Sequence, residues 1–146
     1  MPAAASCASS VLRPARRPDA ERAALTAITE LGLEARRDTL AGQLTLMDPK
    51  RLEMARALAT EPRLLLLDEP LCGLTPTEIE LACDLVERIH ARGVTIMIVE
   101  DVMKAIMRIS RRVVVMQHGE EIADGAPAEV VRDPAVVSAY FGKRAG

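Results

Sequence analysis

The sequence predicts an α/β fold, on three observations. Residues 64–67 are four consecutive leucines followed at once by Asp68-Glu69-Pro70, and residues 94–99 form a second apolar run ended by Glu100-Asp101. Continuous runs of this length are expected of parallel strands covered on both faces. Between them, Thr75-Pro76-Thr77-Glu78 reads as a capping box with proline at the first helical position. Ile79, Ala82, Leu85, Val86 and Ile89 then line one helical face, and Gly93 lies just past the end. Strand, helix, strand in that order predicts a right-handed parallel crossover.

The other elements follow in order. Residues 1–18 are rich in Ala, Ser, Arg and Pro without an acid, and are expected to be a disordered tail. Asp19 is a candidate cap for a helix carrying Ala24, Leu25, Ile28 and Leu31, which Gly32 stops. A polar connection over residues 34–39 leads to an apolar stretch, residues 40–47, interrupted by Gly42. Asp48-Pro49 then reads as an N-cap with proline in the first helical position. The helix it opens carries Leu52, Ala55, Leu58 and Ala59 on one face, and Pro62 closes it. Lys50, Arg51, Glu53 and Arg56 fall mostly elsewhere; a solvated face explains them more simply than an anion patch does. After the second strand, a helix from about Val102 carries Met103, Ile106 and Met107. Residues 113–116 form a third strand, joined through His118-Gly119 to a short fourth around Ile122. Pro127 and Pro134 start two short helices, the last containing Val136, Val137, Tyr140 and Phe141.

Composition narrows the function. With 146 residues the length prior gives one domain, and 49% apolar content supports a real core. Aromatic content is 1%, Tyr140 and Phe141 alone, which leaves no platform for stacking bases, and a net charge of −2 leaves no basic footprint for nucleic acid. Cys7, Cys72 and Cys83 are odd in number and lack metal-type spacing, so a reduced cytosolic setting is the simplest expectation. Cys72 reads as a small filler residue, or as an exposed thiol at a subunit interface. No apolar run is long enough to span a bilayer. Met47, Met54, Met97, Met103, Met107 and Met116 are spaced as core packing. His90 is placed to cap a helix end, and His118 lies in a turn.

The chemistry concentrates at Asp68 and Glu69. Ligands of open α/β sheets bind beyond the carboxyl ends of the strands. There one carboxylate can bind a divalent cation while its neighbour polarises a water, as phosphoanhydride hydrolysis requires. The plainer alternative is that Asp-Glu-Pro merely leaves a strand and opens a loop. Glu100-Asp101 ends the second strand in the same way, so four carboxylates gather near one sheet edge. They would repel one another unless a cation or basic side chains relieved them, and no lysine or arginine adjoins either pair in sequence.

This order of motifs resembles the C-terminal part of an ABC-transporter ATP-binding subunit. The run from Arg51 through Leu52-Glu53-Met54-Ala55-Arg56-Ala57 to Leu58 looks like the helix after that family's signature loop. Residues 64–69 look like its Walker B strand, and Gly73-Leu74-Thr75-Pro76 like its D-loop. The tail from Gly119 through Ile122-Ala123-Asp124-Gly125-Ala126-Pro127 to Asp133-Pro134 and Ala139-Tyr140-Phe141-Gly142 is similar to branched-chain amino-acid importer subunits. The resemblance implies a partial P-loop-NTPase-like layer of parallel strands and crossover helices, with a C-terminal hairpin and short helices. It divides the chain into a remnant of the helical and signature region (19–60), a core from Walker B to the switch loop (61–117) and a C-terminal segment (118–146). It further implies ATP and Mg²⁺ as cofactors, with Asp68 on the metal, Glu69 polarising the attacking water, and Gly73, Leu74 and Thr75 touching a second ATP-binding subunit. Its partners would be permease subunits, and its place the cytoplasm, peripheral on the inner face of the cell membrane.

Three departures qualify that expectation. No G-x-x-x-x-G-K-[ST] occurs, so the backbone cradle and lysine for the β- and γ-phosphates are expected to lie upstream of this chain. The signature falls on Leu44-Thr45-Leu46-Met47-Asp48, where Thr45 keeps the hydroxyl but side chains replace the glycines, and Asp48 puts an anion where the family has glutamine. Asp101 stands where the family carries its switch histidine, and an ionised aspartate only accepts hydrogen bonds. The expectation is therefore a truncated ATP-binding subunit that does not hydrolyse ATP alone. The alternatives are a non-catalytic module pairing with a full-length ATPase, or a gene fragment.

Overall fold

A computed structural model describes residues 17–45 and 47–141, without the side chains of residues 17, 41 and 141. The chain forms two compact units, one ending at Glu100 and the other beginning at Asp101.

The first unit contains α1 (Arg17–Glu30), α2 (Met47–Leu58), β1 (Leu64–Asp68), α3 (Pro76–Ala91) and β2 (Thr95–Val99), with short 3-10 turns at Glu34–Arg36 and Ala41–Gln43. Helix α1 starts two residues before Asp19, so Asp19 lies in the first turn and pairs with Arg22 at 3.1 Å instead of capping. The expected tail thus shortens by Arg17 and Pro18; its remaining residues lie outside the described ones. At the other end, Gly32 takes a φ of +67°. Its N–H donates to the Thr29 carbonyl at 3.0 Å and the Leu33 N–H to the Ile28 carbonyl at 2.9 Å, a left-handed helix stop that a side chain at this position would strain. Helices α1 and α2 pack on one another.

The two strands are parallel, with Leu64 opposite Thr95, Leu66 opposite Met97 and Asp68 opposite Val99. Helix α3 joins them. The Thr75 hydroxyl accepts from the Glu78 N–H at 3.4 Å and the Glu78 carboxylate accepts from the Thr75 N–H at 2.8 Å, which closes the expected capping box. Ala82, Cys83, Leu85, Val86 and Ile89 are buried, a stripe at helical spacing whose larger members each contribute about 1.5–3 kcal/mol. Gly93 follows the helix at φ +90°. His90 does not satisfy the helix's own last carbonyls; its Nδ1–H donates to the Val94 carbonyl at 3.1 Å, which fastens the entry to β2.

The expectation of strands covered on both faces is corrected. Leu65 and Leu67 are buried, but Leu64, Leu66, Met97 and Val99 are 53, 63, 61 and 54% exposed. The leucine run is apolar on both sides, yet the sheet packs on one side only, because no described element covers the other. The methionines divide accordingly: Met47 and Met54 are buried, whereas Met97 and Met116 are exposed strand residues and not core packing.

The second unit contains α4 (Met103–Ile109), β3 (Val113–Gln117), β4 (Glu120–Gly125), α5 (Pro127–Val130) and α6 (Pro134–Phe141). Strands β3 and β4 are antiparallel, with an irregularity between Val115 and Met116. His118 and Gly119 take φ values of +51° and +84°, the two left-handed residues a tight hairpin turn needs. Arg112 grips Asp124 with two bonds, Nε to Oδ1 at 2.8 Å and Nη2 to Oδ2 at 2.6 Å. That contact holds the Asp124 carboxyl below its ordinary range and raises the guanidinium. The Asp133 carboxylate accepts from the Ala135 N–H at 2.7 Å at the start of α6, and Val136 is buried where α6 meets β4.

Candidate functional site

The site is built on the carboxyl end of β1. The Glu69 N–H still donates to the Val99 carbonyl at 2.9 Å, so pairing with β2 extends one residue beyond the strand before the chain turns. Glu69 itself has a φ of +46°. A left-handed non-glycine residue costs on the order of 1–3 kcal/mol and persists only where its surroundings over-determine it.

Those surroundings are identifiable. The Glu69 carbonyl accepts from the Lys50 ammonium at 3.2 Å and from the Cys72 N–H at 3.3 Å. The Glu100 carboxylate accepts from the Leu71 N–H at 2.6 Å. The Leu71 side chain is only 2% exposed and anchors the loop in the core. The Leu74 N–H closes a further turn onto the Leu71 carbonyl at 3.2 Å, and Gly73 takes a φ of +77°, which its lack of a Cβ permits. The loop ends at Thr75, inside the cap of α3.

The structure therefore brings Asp68, Glu69, Gly73, Leu74 and Thr75 together as one continuous loop, with Glu100 tied to it. Lys50 is not merely part of a solvated helix face, because its ammonium crosses from α2 to the Glu69 carbonyl. Cys72 is exposed and not a filler; Cys83 takes the buried role. Lys50 and Glu100 are the residues that sequence reasoning underrated. No local signal in the sequence marks either, because each bonds a backbone group far along the chain.

The start of α2 differs from the expectation. The helix begins at Met47, so Asp48 lies within its first turn and not at the cap. The reason is local. The Asp48 carboxylate reaches back to accept the Thr45 N–H at 3.2 Å, and the Asp48 N–H donates to the Thr45 carbonyl at 3.1 Å. Pro49, without an N–H, fits a first helical turn. Asp48 is 7% exposed, with the Arg36 guanidinium 3.9 Å away, so an anion already stands at this helix start. Arg51 beside it is half-buried, its Nε without a partner among the described residues. Asp101 opens the second unit, and its backbone carbonyl accepts the Tyr140 hydroxyl.

Among the described residues, no group of three or more His, Cys, Asp or Glu side chains is placed to hold a metal ion. A hard cation that keeps several waters and binds through one or two carboxylates plus phosphate oxygens fits Asp68 and Glu69; a stand-alone metal site does not. No described helix is long and apolar enough to cross a membrane.

Comparison with known proteins bears on this arrangement. Residues 120–146 match the family model of the branched-chain amino acid ATP-binding cassette transporter. The chain is 36% identical over 121 residues to the high-affinity branched-chain amino acid transport ATP-binding protein LivG of Salmonella typhimurium, covering 82% of this chain and 48% of that protein. It is 37% identical over 117 residues to BraF of Pseudomonas aeruginosa, of the same description, covering 80% and 46%. It is 36% identical over 115 residues to the lipopolysaccharide export system ATP-binding protein LptB of Acidithiobacillus ferridurans, covering 79% and 48%. The chain thus spans about half the length of these relatives. Among solved structures, the ADP conformation of MJ1267, an ATP-binding cassette of an ABC transporter, superposes with a TM-score of 0.79 at 28% identity, covering 92% of this chain and 54% of that one. These matches show a chain with the sequence and fold of the C-terminal part of an ABC-transporter ATP-binding subunit, of the branched-chain amino-acid type.

Proposed function

We propose that this chain supplies the Walker B and D-loop part of an ATP-binding subunit that drives branched-chain amino-acid transport. The observation that carries the proposal is the adjacent pair Asp68 and Glu69 at the carboxyl end of a parallel strand, with Glu69 held in a left-handed turn. Asp68 would hold, directly or through water, the Mg²⁺ that accompanies ATP, an ion that would supply charge neutralisation at the phosphates. Glu69 orients and polarises the water that attacks the γ-phosphate. Gly73, Leu74 and Thr75 meet a second ATP-binding subunit. Permease subunits hold the assembly at the cytoplasmic face of the cell membrane. The amino-acid cargo is favoured by the match over residues 120–146; overall identity does not separate the cargoes, since LptB, named for a different one, is 36% identical over 115 residues.

Thr45, Asp48 and Asp101 occupy nucleotide-facing positions with altered chemistry. The phosphate cradle is not among these 146 residues, so the chain by itself does not turn over ATP. Equilibrium binding of a fluorescent ATP analogue with Mg²⁺ tests this on the purified chain and on Asp68→Ala. No binding up to millimolar nucleotide is expected from either. Saturable binding that Asp68→Ala abolishes would overturn the dependence on an external P-loop.

One observation favours a second reading, a non-catalytic module paired with a full-length ATPase. Asp48 fills the start of α2, where a partner's nucleotide would place its phosphate. A heterodimer formed on mixing with a full-length ATP-binding subunit, binding ATP only at that subunit's P-loop, would support that reading.

A further inference from the structure

We propose that Lys50 and Glu100 are positioning residues for the hydrolytic turn, clamping its backbone so that Glu69 stays in the left-handed conformation. The inference rests on Glu69 being the residue that polarises water. Three described non-glycine residues have a positive φ, and two have ordinary reasons: Glu61 follows the end of α2, and His118 lies in the β3–β4 turn. Glu69 instead follows the last residue of β1 and carries the proposed chemistry. Strain at such a position points to function.

Two side chains of opposite charge hold that turn, each matched in sign to the backbone group it meets. The Lys50 ammonium, from the first turns of α2, donates to the Glu69 carbonyl at 3.2 Å. The Glu100 carboxylate, just after β2, accepts from the Leu71 N–H at 2.6 Å. The turn's own bond, Cys72 N–H to the Glu69 carbonyl, is 3.3 Å. Two elements distant in sequence thus converge on four consecutive residues, and both added bonds are charge-assisted, the stronger kind. Rotation about the Glu69 backbone would swing its carboxylate away from the end of β1. Both clamps act on the backbone of the loop, not on the Glu69 carboxylate, so they position the group without sharing its chemistry.

The test uses the full chain, isotopically labelled, with Glu100→Leu, Glu100→Gln, Lys50→Met and Lys50→Arg. Amide hydrogen exchange at Leu71 is expected to accelerate by about tenfold or more in Glu100→Leu, and its amide proton to move upfield, as a charge-assisted bond is lost. Glu100→Gln keeps an acceptor and restores most of the protection. Lys50→Met, which removes the other donor to the Glu69 carbonyl and so loosens the turn, is expected to accelerate exchange at the Cys72 amide, and Lys50→Arg restores its protection. Unchanged Leu71 and Cys72 amides in the two disruptive variants overturn the clamp. Turnover is then measured in the chain completed by a segment that carries the P-loop but no Walker B strand of its own. There Lys50→Met and Glu100→Leu should lower kcat about tenfold with the KM for ATP within about twofold, and the conservative variants should rescue it. If Glu69→Gln leaves that turnover intact, the reading of Glu69 fails while the amide results still decide the clamp. If Glu69→Gln abolishes turnover but the Lys50 and Glu100 variants keep wild-type kcat, the positioning role is overturned.

Discussion

Replacing Leu66 and Met97 together with lysine should convert an associating chain into a monomer without unfolding it. The two residues are register partners at the centre of an exposed apolar face, flanked by Leu64 and Val99, and all four keep more than half of their surface in water. Complete burial of a side chain of this size contributes about 1.5–3 kcal/mol, so about 1–2 kcal/mol per residue is unrealised here. Two copies meeting face to face would gain on the order of 8–16 kcal/mol, against an association cost of at least about 4 kcal/mol. What remains, at most about 4–12 kcal/mol, corresponds to dissociation constants from roughly millimolar down to nanomolar. Sedimentation equilibrium between about 10 and 500 μM detects association over that range. The wild-type chain should exceed the monomer mass there and the double lysine variant should not. Because both substitutions lie on the open face, the free energy of unfolding should stay within about 0.5 kcal/mol. A wild-type chain that remains monomeric at the top of the range, or a double variant that associates equally, would refute the reasoning.

Two further predictions concern the loop that leaves β1. Thr75→Ala removes the side-chain half of the capping box and should lower stability by about 1 kcal/mol, read as a shift of the urea midpoint. The Glu78 carboxyl is held below its ordinary range first by the Thr75 backbone N–H and then by its hydroxyl. Its contribution is therefore fully present above the unfolded-state value and is lost as pH falls through the lowered folded value. Wild type should lose more stability on acidification than Thr75→Ala, and identical acid limbs would count against the box. Leu71→Ala, at a side chain 2% exposed, should cost about 2–5 kcal/mol by chemical denaturation. A loss below about 1 kcal/mol would show that Leu71 does not anchor the loop.

The elements whose signals are local were legible in the sequence. The α3 cap, the His118-Gly119 turn and the proline-started helices α5 and α6 each depend on a few adjacent residues, and the structure reproduces them. The start of α2 was misjudged because two rules compete there. Asp-Pro favours capping, but an aspartate three residues after a threonine can reach back to that residue's N–H, and this second arrangement is the one the structure contains. The double-sided burial of β1 was misjudged for a different reason. Apolar composition reports what a strand can bury, whereas actual burial depends on which elements are present to cover it. Lys50 and Glu100 lay beyond sequence reasoning because their bonds span 19 and 29 residues.

Under the proposed function, the start of α2 and the Glu69 turn can change independently, because Asp48 and Lys50 bond to different groups. A helix N-terminus attracts anions because its first N–H groups lack partners and its dipole is positive there. Asp48 uses both features internally: its carboxylate takes the Thr45 N–H, and the Arg36 guanidinium lies 3.9 Å away. This stabilises the start of α2 without a nucleotide, and it sets a like charge against any phosphate brought to the same end. At about 4 Å that repulsion is on the order of 4 kcal/mol with an effective dielectric near 20. Lys50, two residues further on, is directed elsewhere, to the Glu69 carbonyl. The two roles proposed for this helix start therefore rest on different side chains: the Asp48 carboxylate at its N-terminus, and the Lys50 ammonium on the Glu69 carbonyl. Substituting Asp48 alone, with the glutamine found at this position in the resembling family, should alter the first and leave the second in place.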